Sequence, residues 1–118
     1  MADSARQISI DSLEGIRRLC SEHGAALAIV TLPFEAQVYA LRETEPNYDI
    51  GLPQRYVEDY ARPRGIPYLS LLPQLRSLAR SAGEPLYVDG DPHFNDRGHR
   101  IAGQYIAEWF RREVDRGP

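Results

Sequence analysis

The stretch Asp89-Gly90-Asp91-Pro92-His93-Phe94-Asn95-Asp96-Arg97-Gly98-His99 holds the residue types and spacing best suited to chemistry in this chain. A carboxylate two positions before an imidazole can fix the ring's tautomer and orientation, leaving the second nitrogen free to take a proton as a general base. Asp91 is then the orienting acid and His93 the base. Two plainer roles compete for the same residues: Asp91 capping a turn ahead of Pro92, and His93 packing on Phe94. Asn95 reads as a helix N-cap, and Gly98 as the point where that helix's first turn comes close to neighbouring backbone. His99 reads as a packing or hydrogen-bonding residue whose charged form the helix N-terminus disfavours. A metal reading places Asp89, Asp91 and His93 on one face of an extended segment. Pro92 restricts Asp91, however, and His23 lies in a distant helix turn, so neither a metal nor a cofactor is expected.

A base of this kind needs a nucleophile. The seven serines are Ser4, Ser9, Ser12, Ser21, Ser70, Ser77 and Ser81, and none sits in a glycine-flanked turn after a strand, the geometry that exposes a reactive hydroxyl. Cys20, the single cysteine, cannot form an internal disulfide and falls in a helical pattern as a small, half-buried hydrophobe.

The composition sets further bounds. With 118 residues, of which 42% are hydrophobic, the chain has material for one domain and one core. A net charge of -3, with arginines dispersed along the chain and no lysine, argues against nucleic acid or an anionic membrane as partner. The longest apolar run, Ala25 to Leu32, is far short of the roughly 20 residues that cross a bilayer. No signal-peptide pattern precedes it, so a soluble chain is expected, with its cellular location open.

The elements that would position the Asp-His pair follow from periodicity. Asp11-Ser12-Leu13-Glu14 reads as a capping box opening a helix with Leu13, Ile16 and Leu19 at helical spacing, stopped by Gly24. Residues 26–32 read as a buried parallel strand. Pro33 to Leu52 reads as a long loop in which Tyr39 and Tyr48 either line a pocket or anchor the packing. Pro53 opens a helix closed by Pro63 and Gly65, residues 66–71 form a second strand, and Pro73 opens a helix running to Gly83. Leu86-Tyr87-Val88 reads as a third strand, and Asn95 starts a last helix presenting Ile101, Ala102, Tyr105, Ile106 and Trp109 on one face. This alternation implies an α/β fold with a parallel sheet, and three strands with four helices resemble the later half of a doubly wound domain.

The tail resembles the last block of the SGNH/GDSL hydrolase family, in which an Asp and a nearby His complete a Ser-His-Asp triad. The resemblance covers roughly residues 8 to 112. It is carried by Gly24 to Tyr39, by Gly65 to Leu72 and, most specifically, by Gly90 to His99. It implies a three-layer α/β/α flavodoxin-like sheet, an ester hydrolase of esterase, acetylesterase or acyltransferase type, and His93 with Asp91 as the catalytic pair. A small ester or acylated carbohydrate would be the substrate. The departures are definite. The family's Gly-Asp-Ser block is missing, as are the glycine and asparagine that complete its oxyanion hole. Many members place the Asp three residues before the His, where this chain has Gly90, with Asp89 at four as a lesser substitute. The resemblance therefore implies a chain inactive by itself, completed by an N-terminal partner segment, or else a degenerate domain that binds a partner or associates with itself.

Overall fold

In the computed structural model, which describes residues 2–45 and 48–115, local sequence accounts for most of the helices. Helix α1 (Ala2–Glu22) ends where Gly24, at φ 66°, turns the chain and Ala25 N donates to Cys20 O at 2.8 Å. Proline at the first positions opens both α3 (Leu52–Ala61) and α4 (Leu72–Ala82), because a residue without an N–H loses nothing there. A 3-10 turn (Arg62–Arg64) and then Gly65 in the left-handed region close α3, and Gly83 closes α4. Helix α5 (Asp96–Trp109) runs on into a wider π turn (Phe110–Val114).

The flavodoxin-like expectation does not hold. Helix makes up 61% of the structure and strand 10%. Among the described residues the parallel sheet has only two strands, β1 (Ile29–Thr31) and β4 (Tyr68–Ser70), paired Ile29 with Tyr68 through Thr31 with Ser70. Three-residue strands cannot carry helical layers on both faces. The third expected strand fails for a local reason. Past Val88 the chain reverses through Gly90, at φ 70°, and its backbone groups are satisfied within the turn. Val88 N donates to His93 O at 2.9 Å and Asp91 N to Val88 O at 3.0 Å, leaving a single antiparallel bridge between Tyr87 and Phe94. The long loop is also more structured than expected. It contains helix α2 (Glu35–Tyr39) and the hairpin strands β2 (Thr44–Glu45) and β3 (Tyr48–Asp49); Pro46 and Asn47 lie outside the described residues.

The N-terminal helix begins before the expected capping box, so Asp11 lies inside it rather than at its start. Glu14 has a different task. Its carboxylate accepts from the Tyr60 hydroxyl at 2.6 Å and from Arg17, and it pairs with Arg64 at 3.8 Å, fastening α1 to α3. Hydrogen bonds from Arg17 and Tyr60 hold its pKa down at about 2. Arg6 adds a cation–π contact over Tyr56 at 4.1 Å. Apart from this seam α1 stands clear, with Ile8, Ile16 and Leu19 exposed. The radius of gyration, 15.8 Å, accordingly exceeds the roughly 13.5 Å of a compact domain this long.

The core lies between α2, α4, α5 and the two-stranded sheet, with Leu71, Leu75 and Leu86 fully enclosed and Val38, Leu69, Tyr87, Ala102 and Trp109 around them. Gly98 decides how closely α5 approaches it. A Cβ at that position would stand 2.1 Å from Leu86 O and 2.8 Å from the Phe94 ring. Gly98→Ala is therefore expected to destabilise the fold by about 2 kcal/mol or more through overpacking. Gly103→Ala, on the same helix with nothing within 4 Å of its Cβ, should stabilise it by up to about 1 kcal/mol. Urea denaturation measures both, and equal effects of the two substitutions would contradict this packing.

Candidate functional site

Residues 86–98 form a tight loop that empties into α5, and the sequence around it fixes each turn. Asn95 has extended backbone and its side-chain oxygen accepts from Gly98 N at 2.9 Å, capping the helix as expected. Its side-chain nitrogen donates to Pro85 O at 3.0 Å and to Tyr87 O at 3.3 Å, while Asn95 N donates to Leu86 O at 3.0 Å. One asparagine thus closes both sides of the loop. Two tyrosines tie the loop to the α2 region: the Tyr39 hydroxyl accepts from Leu86 N at 3.1 Å, and the Tyr87 hydroxyl donates to Pro33 O at 2.8 Å. Burial pushes the Tyr87 phenol well above its ordinary pKa, so it serves as a fixed donor.

At the tip of this loop Asp91 and His93 meet. Asp91 Oδ1 accepts from His93 N at 2.9 Å and is in hydrogen-bond contact with His93 Nδ1. A carboxylate can only accept, so Nδ1 carries the proton, and in the neutral ring Nε2 is left with a lone pair. No hydrogen bond is made by Nε2 among the described residues, and the side chain is 82% exposed. The packing alternative for His93 is not what occurs. Phe94 turns inward, its ring centroid 4.9 Å from that of Tyr87 and 5.7 Å from that of His99, giving His99 its packing role. The turn-capping alternative for Asp91 is realised together with the pairing, since one carboxylate oxygen serves both.

The setting differs from the expected one in a way that bears on catalysis. His93 does not stand at the carboxyl end of a parallel strand; it stands on a solvent-facing turn. Asp89 takes no part in the pair and lines a neighbouring hollow instead. Among the described residues no three carboxylate, imidazole or thiol groups gather as a metal ion would require. Among the described residues no serine bonds to His93. Ser9, Ser12 and Ser81 hydroxyls donate to helix carbonyls, and Ser70 Oγ accepts from Leu72 N at 3.3 Å. Cys20 is free and half-buried in α1.

An open hollow of about 610 Å³ borders the same loop without including Asp91 or His93 in its wall, and is bounded by Glu35, Tyr39, Glu84, Tyr87, Val88 and Asp89 among others. Tyr39 therefore both lines a pocket and anchors the loop, whereas Tyr48 does not border this hollow. Of the two anchors, Tyr39 carries both roles that its sequence position suggests, whereas Tyr87, which reads only as a strand residue, is the anchor that the sequence pattern does not show. The signal for Tyr87 is its place inside the apolar segment Leu86-Tyr87-Val88, where a ring can be buried with its hydroxyl turned to a free backbone group.

No protein-family model, curated protein or solved structure matches this chain. No helix among the described residues is long and apolar enough to cross a membrane.

The Asp91 carboxyl is held below its ordinary pKa of 3.8, first by the His93 backbone N–H and then by the His93 ring. Its contribution to ordering the loop is therefore complete above the ordinary carboxylate range and is lost as the pH falls through the lowered value. In an NMR titration the His93 backbone amide should move with a transition below pH 3.8, and the Asp91→Asn variant should lack that transition. A transition at or above the ordinary value would contradict the pairing.

Proposed function

We propose that this chain supplies the general-base half of a Ser-His-Asp site for ester hydrolysis, with the nucleophile contributed by a polypeptide segment outside these residues. The observation that carries this reading is the Asp91–His93 geometry: a ring steered by its carboxylate through Nδ1, with Nε2 open to a hydroxyl that the chain does not itself present. The resemblance of Gly90 to His99 to the SGNH/GDSL family supports the same chemistry, although the sheet that resemblance implied is not formed. An imidazole exposed to water gives little rate by itself, because most acceleration comes from a water-excluding site with aligned oxyanion donors. A segment that docks over the loop would supply both the hydroxyl and the exclusion of water. The adjoining hollow, with tyrosines and three carboxylates on its wall, suits the neutral alcohol part of a small ester or acylated carbohydrate better than an anionic one.

A second reading, favoured by the exposed apolar side chains Leu41, Phe34 and Ile8, is a domain that associates with a partner or with itself and performs no chemistry.

One experiment separates the two. Acetyl-ester hydrolysis and fluorophosphonate labelling are measured on this chain alone and on the chain joined to the polypeptide encoded immediately upstream of it. The chain alone should do neither. The joined protein should do both, and His93→Ala should lower its kcat by about 10²-fold to 10⁴-fold, the usual worth of a general base. Hydrolysis indifferent to His93→Ala would remove the first reading. A folded joined protein without activity, together with self-association of this chain, would favour the second.

A further inference from the structure

We propose that the cleft between the β2–β3 hairpin and the start of α4 binds a small oxyanion, a carboxylate or a phosphate, on the unused edge of the Arg76 guanidinium. This site is separate from the Asp91–His93 loop and does not rest on the function assigned to it. Arg76 is one of the few charged side chains taken into the interior, with 5% of its side chain exposed. One nitrogen, Nη1, donates to Gln37 O at 2.6 Å and reaches Val38 O at 3.4 Å, near the end of α2. The other two, Nε and Nη2, are buried with no hydrogen-bond partner among the described residues.

That asymmetry has a chemical meaning. In a planar guanidinium, Nε–H and the neighbouring Nη2–H form one edge whose two parallel donors match two oxygens of a carboxylate or phosphate. A buried charged donor pair left empty is unfavourable, and a bidentate anion is the partner its geometry fits. The closest carboxylate, Glu43, does not fill it: Oε1 lies 3.7 Å from Nε, beyond hydrogen-bond length, and 4.0 Å from Arg80 Nη2, with 69% of the side chain exposed. Glu43 stands over the edge as a loosely held cover.

The cleft itself has a volume of about 230 Å³ and is bounded by Arg76, Arg55, Glu43, Asp49 and Pro73, among others. Arg55 is already paired with Asp49, so within the cleft wall Arg76 faces only the loosely held Glu43, a carboxylate that is also 4.0 Å from the exposed Arg80 outside that wall. The first turn of α4, bordering the cleft through Leu72 and Pro73, adds the partial positive charge of a helix N-terminus. An incoming oxyanion displaces the Glu43 side chain and takes both free donors of Arg76.

Isothermal titration calorimetry of the chain with sodium phosphate and, separately, with sodium acetate, at constant ionic strength in chloride, tests the proposal. Saturable one-to-one binding of one of the two is expected, and which one identifies the oxyanion class. Glu43→Gln, which removes the competing charge, should tighten binding by up to about fivefold. Arg76→Lys keeps the charge but loses the two-donor edge, and should weaken binding by about tenfold or more. Should Arg76→Lys fail to fold, the Arg76 Nε–H signal of the nitrogen-15-labelled native chain gives the same information, and it should shift along the binding curve. The proposal is overturned if neither anion gives saturable heat or an Nε–H shift in the native chain and in Glu43→Gln, or if Arg76→Lys binds as well as the native chain.

Discussion

The first turn of α5 lies so close to the backbone at Leu86 that only a glycine fits at position 98, and this contact sets both the core and the loop before the helix. With no side chain at Gly98, the helix start can lie against Leu86 O, and Asn95 can at once cap the helix and bond to residues 85, 86 and 87. The consequences run in both directions. Inward, the approach seats Leu86 and Tyr87 in the core against Ala102 and Trp109. Outward, it shortens the span available to residues 88–93, so that they turn through Gly90 and bring the Asp91 carboxylate onto the His93 ring. Packing at the two flanks of the loop, Leu86 and Gly98, thus holds Asp91 and His93 between them.

The same constraint explains why the chain builds so little sheet. Leu86-Tyr87-Val88 has the composition of a strand, but Leu86 N goes to Tyr39 and Val88 N to His93 O, so two of the donors that would extend the sheet beside β4 are used elsewhere. β1 and β4 remain a pair, and helices close the core around them. Compensation comes from polar fastenings of unusual reach: Tyr87 to Pro33, Tyr60 to Glu14, and Arg76 to Gln37 each join segments far apart in sequence. Each donor is the tip of a long side chain whose stem or ring lies in apolar surroundings, which lets one residue serve packing and hydrogen bonding together.

How much of this was legible in the residues depends on the range of the forces involved. Helix starts at Pro53, Pro73 and Asn95, stops at Gly24, Gly65 and Gly83, and the crowding at Gly98 follow from steric and capping rules that act over a few residues. All are found where they were read. The Asp91–His93 pair belongs to the same class, since two residues of spacing around Pro92 suffice to form it. What was misread required long-range information. The apolar run of residues 26–32 looks like a central strand, yet only Ile29–Thr31 finds a partner, and nothing local says how many neighbours a strand will have. Asp11 and Glu14 satisfy a capping pattern, but helix propensity upstream carries α1 past it, and the arginines and tyrosine that gather round Glu14 come partly from residues 60 and 64. The doubly wound architecture failed at this level, in the count and placement of strand partners, while the contact between Asp91 and His93, which needs only local geometry, is formed.

Asp91 fixes His93 with Nδ1 protonated and Nε2 free. Nitrogen-15 chemical shifts of the neutral His93 ring report this directly. The expected result is a predominant Nδ1–H tautomer with an unprotonated Nε2, reverting to a mixture in Asp91→Asn. A predominant Nε2–H tautomer in the native chain, or shifts indifferent to Asp91→Asn, would contradict it.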